Sequence, residues 1–274
     1  MRELTLNLTL FLLIFGTVNI FAQENKDLAE LKVLFDKLYF ASNDSVKLEV
    51  NKKIKTELKQ YISIKRDYTV DFETIRNLKT IKSDDKDIFI FTWAVKLKNE
   101  NFKYFGFIKY YINSIGEYYI DELIDNKTIN TANEQDRFNS KNWYGAVYYK
   151  IISKKYKKKR TYLLLAWDAN DDFTNKKIID ILSINEDDEV PVFGKNIINY
   201  NGKNITRLVF EYGERVAMTL TYDTKLKMVI WDHLSPSKQE FKGIYKYYGP
   251  DLSFDALQFE KGFWKYIPDI ELNK

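Results

Sequence analysis

Leu28, Leu31, Leu34, Phe35 and Leu38 recur at steps of three and four residues, with Lys26, Glu30, Lys32, Asp36 and Lys37 between them. An α-helix turns once every 3.6 residues, so this spacing predicts a helix with one apolar face. Ser42-Asn43-Asp44-Ser45 breaks the pattern and offers side-chain oxygens to cap a second helix. Val46, Val50, Ile54 and Leu58 then step by four, and Tyr61 and Ile62 extend the stripe. A helical hairpin is expected over about 26–62.

From about residue 70 the period drops to two. Phe91, Trp93, Val95 and Leu97 alternate with Thr92, Ala94, Lys96 and Lys98, which predicts a half-buried strand. Asn99-Glu100-Asn101 reads as a turn. Phe102 to Ile112 is apolar on both faces and reads as a central strand, and Glu117 to Glu122 closes a first meander. Residues 124–141 are polar and read as a linker. Strands resume at Trp143–Ser153, Thr161–Trp167, Lys176–Ile184, Val190–Phe193, Ile197–Tyr200, Ile205–Tyr212, Arg215–Tyr222, Leu226–His233, Phe241–Tyr248, Phe254–Glu260 and Phe263–Ile267. Their joints are short, Asn201-Gly202 being a strong hairpin signal. Short joints make neighbouring strands antiparallel, because a parallel crossover needs a dozen or more residues.

The fold class that follows is mainly β: antiparallel meander sheets, sandwich- or barrel-like, preceded by an N-terminal helical hairpin. The expected division is a signal peptide over 1–22, the hairpin over 23–66, a first meander over 67–123, a linker over 124–141 and a second antiparallel region over 142–274. The signal reading rests on Arg2, the apolar run Leu8 to Phe15, and Ile20-Phe21-Ala22 before Gln23. Export to the periplasm or cell exterior is expected, with cleavage after Ala22 and no transmembrane span in the mature chain.

Composition narrows the chemistry. The 274 residues include no Cys and one His, so a disulfide framework, a thiolate nucleophile and a Cys-ligated metal are excluded. A Ser–His–Asp triad would have to use His233. No G-x-S-x-G elbow is present, and Asp232 beside His233 points to the opposite face of a regular strand. The net charge of +4 is too mild to imply a nucleic-acid partner.

Three features carry candidate chemistry. Lys154, Lys155, Lys157, Lys158, Lys159 and Arg160 surround Tyr156 between two expected strands. They read either as an anion site, for acidic polysaccharide, lipid A phosphate or nucleic acid, or as a solvated hairpin tip guarding a sheet edge. Asp84-Asp85-Lys86-Asp87 and Glu186-Asp187-Asp188-Glu189 are tips of opposite sign. Asp168, Asn170 and Asp172 place oxygens at alternate loop positions, as a Ca²⁺ loop does, although Phe173 and Ile179 exclude an EF-hand. A polar turn is the other reading, and no further cofactor is expected. Among the abundant aromatics, Trp143, Tyr144, Tyr247 and Tyr248 are candidates for a sheet surface that stacks on sugar rings or a partner protein. The alternative is that Tyr simply suits strands. Asp251 with Asp255, or Asp121 with Glu122, would be the carboxylate pairs of a glycan hydrolase.

Asn142-Trp-Tyr-Gly-Ala-Val-Tyr-Tyr-Lys-Ile151, Leu163-Leu-Leu-Ala-Trp-Asp-Ala-Asn170, Asp232-His-Leu-Ser-Pro236 and Tyr247-Tyr-Gly-Pro-Asp251 together resemble a family of exported Bacteroidetes proteins of unknown function. The likeness covers about residues 70–270 and departs at Ala169, where Gly would be expected. The resemblance implies export and no particular activity. The expected role is an exported, non-catalytic cell-envelope protein that binds a glycan or protein partner through a β-sheet surface. The alternative is a periplasmic glycan hydrolase with paired carboxylates.

Overall fold

A computed structural model describes residues 27–64, 72–98, 102–126, 135–185 and 189–272. The expected signal peptide, the turn at 99–101 and most of the acidic tip at 186–189 lie outside these residues. The chain divides into two compact units, Met1–Asn77 and Leu78–Lys274.

The first unit holds α1 (27–40) and α2 (Asp44–Ile64). The expected stripes are the buried ones: Leu31, Phe35 and Leu38 in α1, and Val50, Ile54, Leu58, Tyr61 and Ile62 in α2. Val46 stands in the first turn of α2 and is exposed. Asn43 caps α2, its Oδ1 accepting the Ser45 N–H at 2.8 Å. Arg76 lies 4.5 Å over the Tyr39 ring and 3.5 Å from the Asp36 carboxylate. No helix among the described residues is long and apolar enough to cross a membrane.

The second unit is a stack of three sheets. In the first, β1 (Lys79–Lys82), β2 (Ile88–Lys96), β3 (Phe102–Ile112) and β4 (Glu117–Ile124) pair antiparallel in chain order. The second runs β5 (Phe138–Asn139), β9 (Pro191–Phe193), β8 (Thr174–Ile184), β7 (Lys159–Asp168), β6 (Val147–Tyr156). There β12 (Arg207–Gly213) pairs with β8 beside β9. The third runs β11 (Lys203–Ile205), β10 (Ile198–Tyr200), β16 (Phe263–Ile267), β15 (Tyr248–Glu260), β14 (Met228–Pro236), β13 (Leu220–Asp223).

The second sheet is the middle layer. On β7, Tyr162, Leu164 and Ala166 enter a core shared with Ile90, Tyr104 and Ile108 of the first sheet. Leu163 and Leu165 point the other way, into a core with Val229, Trp231, Leu257 and Trp264 of the third sheet. A strand buried on both faces has no polar alternation, which accounts for the unbroken Leu-Leu-Leu-Ala run.

Several expectations need correction. β2 is buried on both faces rather than one. Its Thr92 is tolerated there because the hydroxyl accepts the Tyr148 N–H at 3.1 Å, and because Gly106 opposite it leaves room. In the described part of 124–141, the Ile124 N–H donates to the Ser140 carbonyl and β5 pairs with β9, while residues 127–134 of the expected linker lie outside the described residues. The run 205–212 splits between two sheets at buried Thr206. The mainly β, antiparallel fold class stands, with open, sandwich-like sheets and no closed barrel among the described residues. β10 and β16 pair parallel; they lie far apart in sequence, so no short joint dictates their direction. Asn201-Gly202 forms the expected tight turn, with positive φ at both residues.

Candidate functional site

The β14–β15 hairpin pairs Pro236 with Tyr248, and the chain between them leaves the sheet. Alternation over 241–248 reads as a strand, but only Tyr248 joins one; 241–247 has no strand partner among the described residues. It folds instead into two 3₁₀ turns, Gln239–Phe241 and Tyr245–Tyr247, in which no residue is buried. The shape is set by local hydrogen bonds. Phe241 N–H donates to the Lys238 carbonyl, Ile244 N–H to Phe241, and Tyr247 N–H to Ile244. The Tyr248 hydroxyl accepts the Gly243 N–H at 2.9 Å.

This excursion is built from aromatic rings. Phe241 and Tyr247 stack at 4.1 Å with planes 25° apart, and Tyr245 meets Tyr248 at 5.2 Å. The Lys246 ammonium lies 5.0 Å from the Tyr247 ring and 5.9 Å from the Phe173 ring, which comes from the β7–β8 turn and is 66% exposed. Tyr245 and Ile244 are exposed to a little under half. Tyr247 and Tyr248 were legible as candidates; Phe241, Phe173 and Lys246 were not. The four-residue recurrence of Lys238, Lys242 and Lys246 against the rings is the signal that marks them.

The other aromatic candidates sit elsewhere. Trp143 is fully buried, because its backbone pairs with Ile124 and Asn126 and carries the side chain inward. Its Nε1 donates to the Tyr148 hydroxyl at 3.0 Å. Tyr144 is half-buried, 5.5 Å from the Arg207 guanidinium, and burial followed by the Asp168 carboxylate pushes its phenol pKa up. Arg207 and Asp180 form a buried pair at 2.7 Å, with Phe138 4.6 Å from the guanidinium. The Arg207 Nη1 has no hydrogen-bond partner.

The basic run forms the β6–β7 hairpin tip, with Lys157 in the left-handed turn position. Its charges are divided. Lys154 folds back 5.3 Å from the Tyr222 ring and donates to that hydroxyl at 3.1 Å. Arg160 meets Asp87 at 2.6 Å and Asp85 at 3.0 Å, so the acidic and basic tips neutralise each other there. Burial and the neighbouring Asp85 push the Asp87 carboxyl pKa up, with Arg160 opposing them. Lys155, Lys157, Lys158 and Lys159 remain exposed.

The oxygens proposed for Ca²⁺ are engaged separately. Asp168 is buried and accepts the Tyr104 hydroxyl at 2.6 Å and the Asn170 N–H at 2.8 Å. Asn170 Oδ1 accepts the Lys176 ammonium at 2.7 Å, and Asp172 meets Lys96 at 3.4 Å. Asp171 closes the turn by accepting the Phe173 and Thr174 N–H groups. No group of three metal-ligating side chains occurs among the described residues. The left-handed position is Asn170, not Ala169, so Ala is accommodated where Gly was expected.

His233 does not bond Asp232, whose carboxylate instead accepts the Thr219 N–H at 2.6 Å. The register breaks at His233, where Asp251, Leu252 and Ser253 bulge opposite it. The imidazole then reaches Asp255 at 2.8 Å and is 45% exposed. Asp255 is thus bonded to the imidazole, while Asp251 bonds Ser253 and acts on the imidazole through its charge. Against a burial penalty, the Ser253 hydroxyl and N–H hold Asp251 below the usual carboxylate range. Asp121 accepts the Ser140 hydroxyl at 2.9 Å. No protein-family model, curated protein or solved structure matches the chain.

Proposed function

We propose that this chain is a non-catalytic glycan-binding protein of the cell envelope, and that its aromatic excursion at 237–247 is the binding platform. The observation that carries the reading is the excursion itself: aromatic rings grouped outside every core, in turns with no buried residue. Exposed apolar area of this kind costs free energy in water and adds little to folding. A sugar ring presents a flat C–H face that an aromatic ring can cover, and the preset turns reduce the ordering cost of doing so. Export rests on the N-terminal pattern and on the resemblance to exported Bacteroidetes proteins.

The hydrolase reading has less support. Among the described residues, the carboxyls whose pKa is pushed up, Asp87 and Asp180, each face an arginine, which leaves neither as a ready proton donor. The test is a glycan array probed with the purified chain and with the double variant Phe241→Ala/Tyr247→Ala. Glycan hits that disappear in a double variant of unchanged melting temperature support the reading. An array without hits, or hits indifferent to the double variant, overturns it.

A further inference from the structure

We infer that the platform selects acidic polysaccharides, those carrying carboxylates on the sugar rings, over neutral ones; this rests on the glycan-binding reading above. Within the excursion, Lys238, Lys242 and Lys246 recur every four residues, and the single acid is Glu240. Glu240 meets Lys238 at 3.8 Å with both side chains about two-thirds exposed, 67% and 69%, which is a weak pair. The excursion therefore carries net positive charge among its rings.

The selectivity comes from where the ammonium groups rest. Lys246 lies 5.0 Å from the Tyr247 ring and 5.9 Å from the Phe173 ring, and Lys238 lies 6.0 Å from the Phe241 ring. Phe241 covers one face of the Tyr247 ring, which leaves a single face for a ligand. A sugar that stacks on the open face of Tyr247 comes within reach of the Lys246 ammonium, 5.0 Å from the ring centre, and competes with its cation–π contact. A neutral sugar returns nothing for that loss. A uronate places a carboxylate at the rim of the stacked ring, where the ammonium pairs with it. Exposed contacts of this kind are weak, so the exchange requires little reorganisation.

The test uses matched polymers that differ in ring charge alone: polygalacturonate, alginate and hyaluronan, each beside its neutral ester. Affinity electrophoresis of the full chain is expected to show retardation by at least one acid polymer and about tenfold weaker retardation by its ester. The triple variant Lys238→Gln/Lys242→Gln/Lys246→Gln should bring acid polymer and ester to the same affinity by lowering that of the acid polymer, and the ester's affinity should not fall. Equal affinity for acid and ester forms overturns the acidic selectivity and leaves glycan binding standing. Retardation lost in Lys155→Gln/Lys157→Gln/Lys158→Gln, but kept in the platform triple variant, overturns it in favour of the hairpin tip. No retardation by any acid polymer or ester overturns it as well. Array hits for neutral glycans in that case show that the platform reading survives alone.

Discussion

The Nδ1 of His233 lies 2.8 Å from the Oδ2 of Asp255, a carboxylate buried across the β14–β15 pair. The hydrogen bond to Asp255 raises the His233 pKa above its ordinary 6.5, against a smaller burial penalty, and Asp251 and Asp269 add to the rise. A folded-state pKa above the unfolded one means that protonation favours folding. This stabilisation is fully present below pH 6.5 and is lost as pH rises through the raised folded value. The chain has one His, so its imidazole carbon-bound protons give a single titration curve by NMR. The midpoint should lie above 6.5 and fall in Asp255→Asn. A native midpoint at or below 6.5 would refute the pairing.

Tyr104→Phe tests the loop of Asp168, Asn170 and Asp172. The Tyr104 hydroxyl donates to Asp168 at 2.6 Å and accepts the Ala169 N–H at 2.8 Å, all within buried surroundings. Removing it leaves one donor and weakens the satisfaction of one carboxylate. Each buried orphan costs about 1–3 kcal/mol, so a loss of about 2–4 kcal/mol in urea unfolding is expected. A loss below about 0.5 kcal/mol would show that water replaces the hydroxyl.

What was legible in the chain was whatever rests on local period. The stripes of Leu31, Phe35 and Leu38, and of Val50, Ile54 and Leu58, fix the buried faces of α1 and α2 by spacing alone. β3 matches its expected bounds, since eleven residues apolar on both faces have few other solutions. What was not legible depends on long-range partners. Residues 241–248 alternate as a strand does, yet strand structure needs a neighbouring edge, and 241–247 has none among the described residues. His233 and Asp255 are 22 residues apart, and they meet only because the bulge at Asp251–Ser253 shifts the register between them. The basic tip was readable as charge, but not that Arg160 is spent on Asp85 and Asp87.

Asp180 and Arg207 form the buried pair of the middle sheet, with side chains 1% and 0% exposed. Asp180→Asn leaves an uncompensated guanidinium between Phe138 and Tyr144. Breaking a buried pair from one side costs about 3–5 kcal/mol, whereas replacing both partners by apolar groups is often neutral or stabilising. The double variant Asp180→Leu/Arg207→Met should therefore recover most of the stability lost in Asp180→Asn. Thermal unfolding of the wild type and both variants checks this. A double variant no more stable than Asp180→Asn would mean that the pair fixes the β8–β12 register as well as its charges.

Gly213 links the middle sheet to the aromatic platform. A Cβ at Gly213 would stand 2.7 Å from the Lys246 carbonyl oxygen and 3.5 Å from that of Tyr248. Both are backbone atoms, so no side-chain rotation relieves the contact. β12 is held by its pairing with β8, where Gly213 faces Thr174, so the excursion is the part that yields. Gly213→Ala should cost about 1–3 kcal/mol. It should also raise hydrogen exchange at the Gly243 N–H, which the Tyr248 hydroxyl holds at 2.9 Å. Glycan affinity should fall with it, although every ring and every lysine is still present. The shape of the platform, and not its composition alone, is then what binds. A Gly213→Ala variant with wild-type exchange at Gly243 and wild-type affinity would show that the excursion keeps its shape without β12.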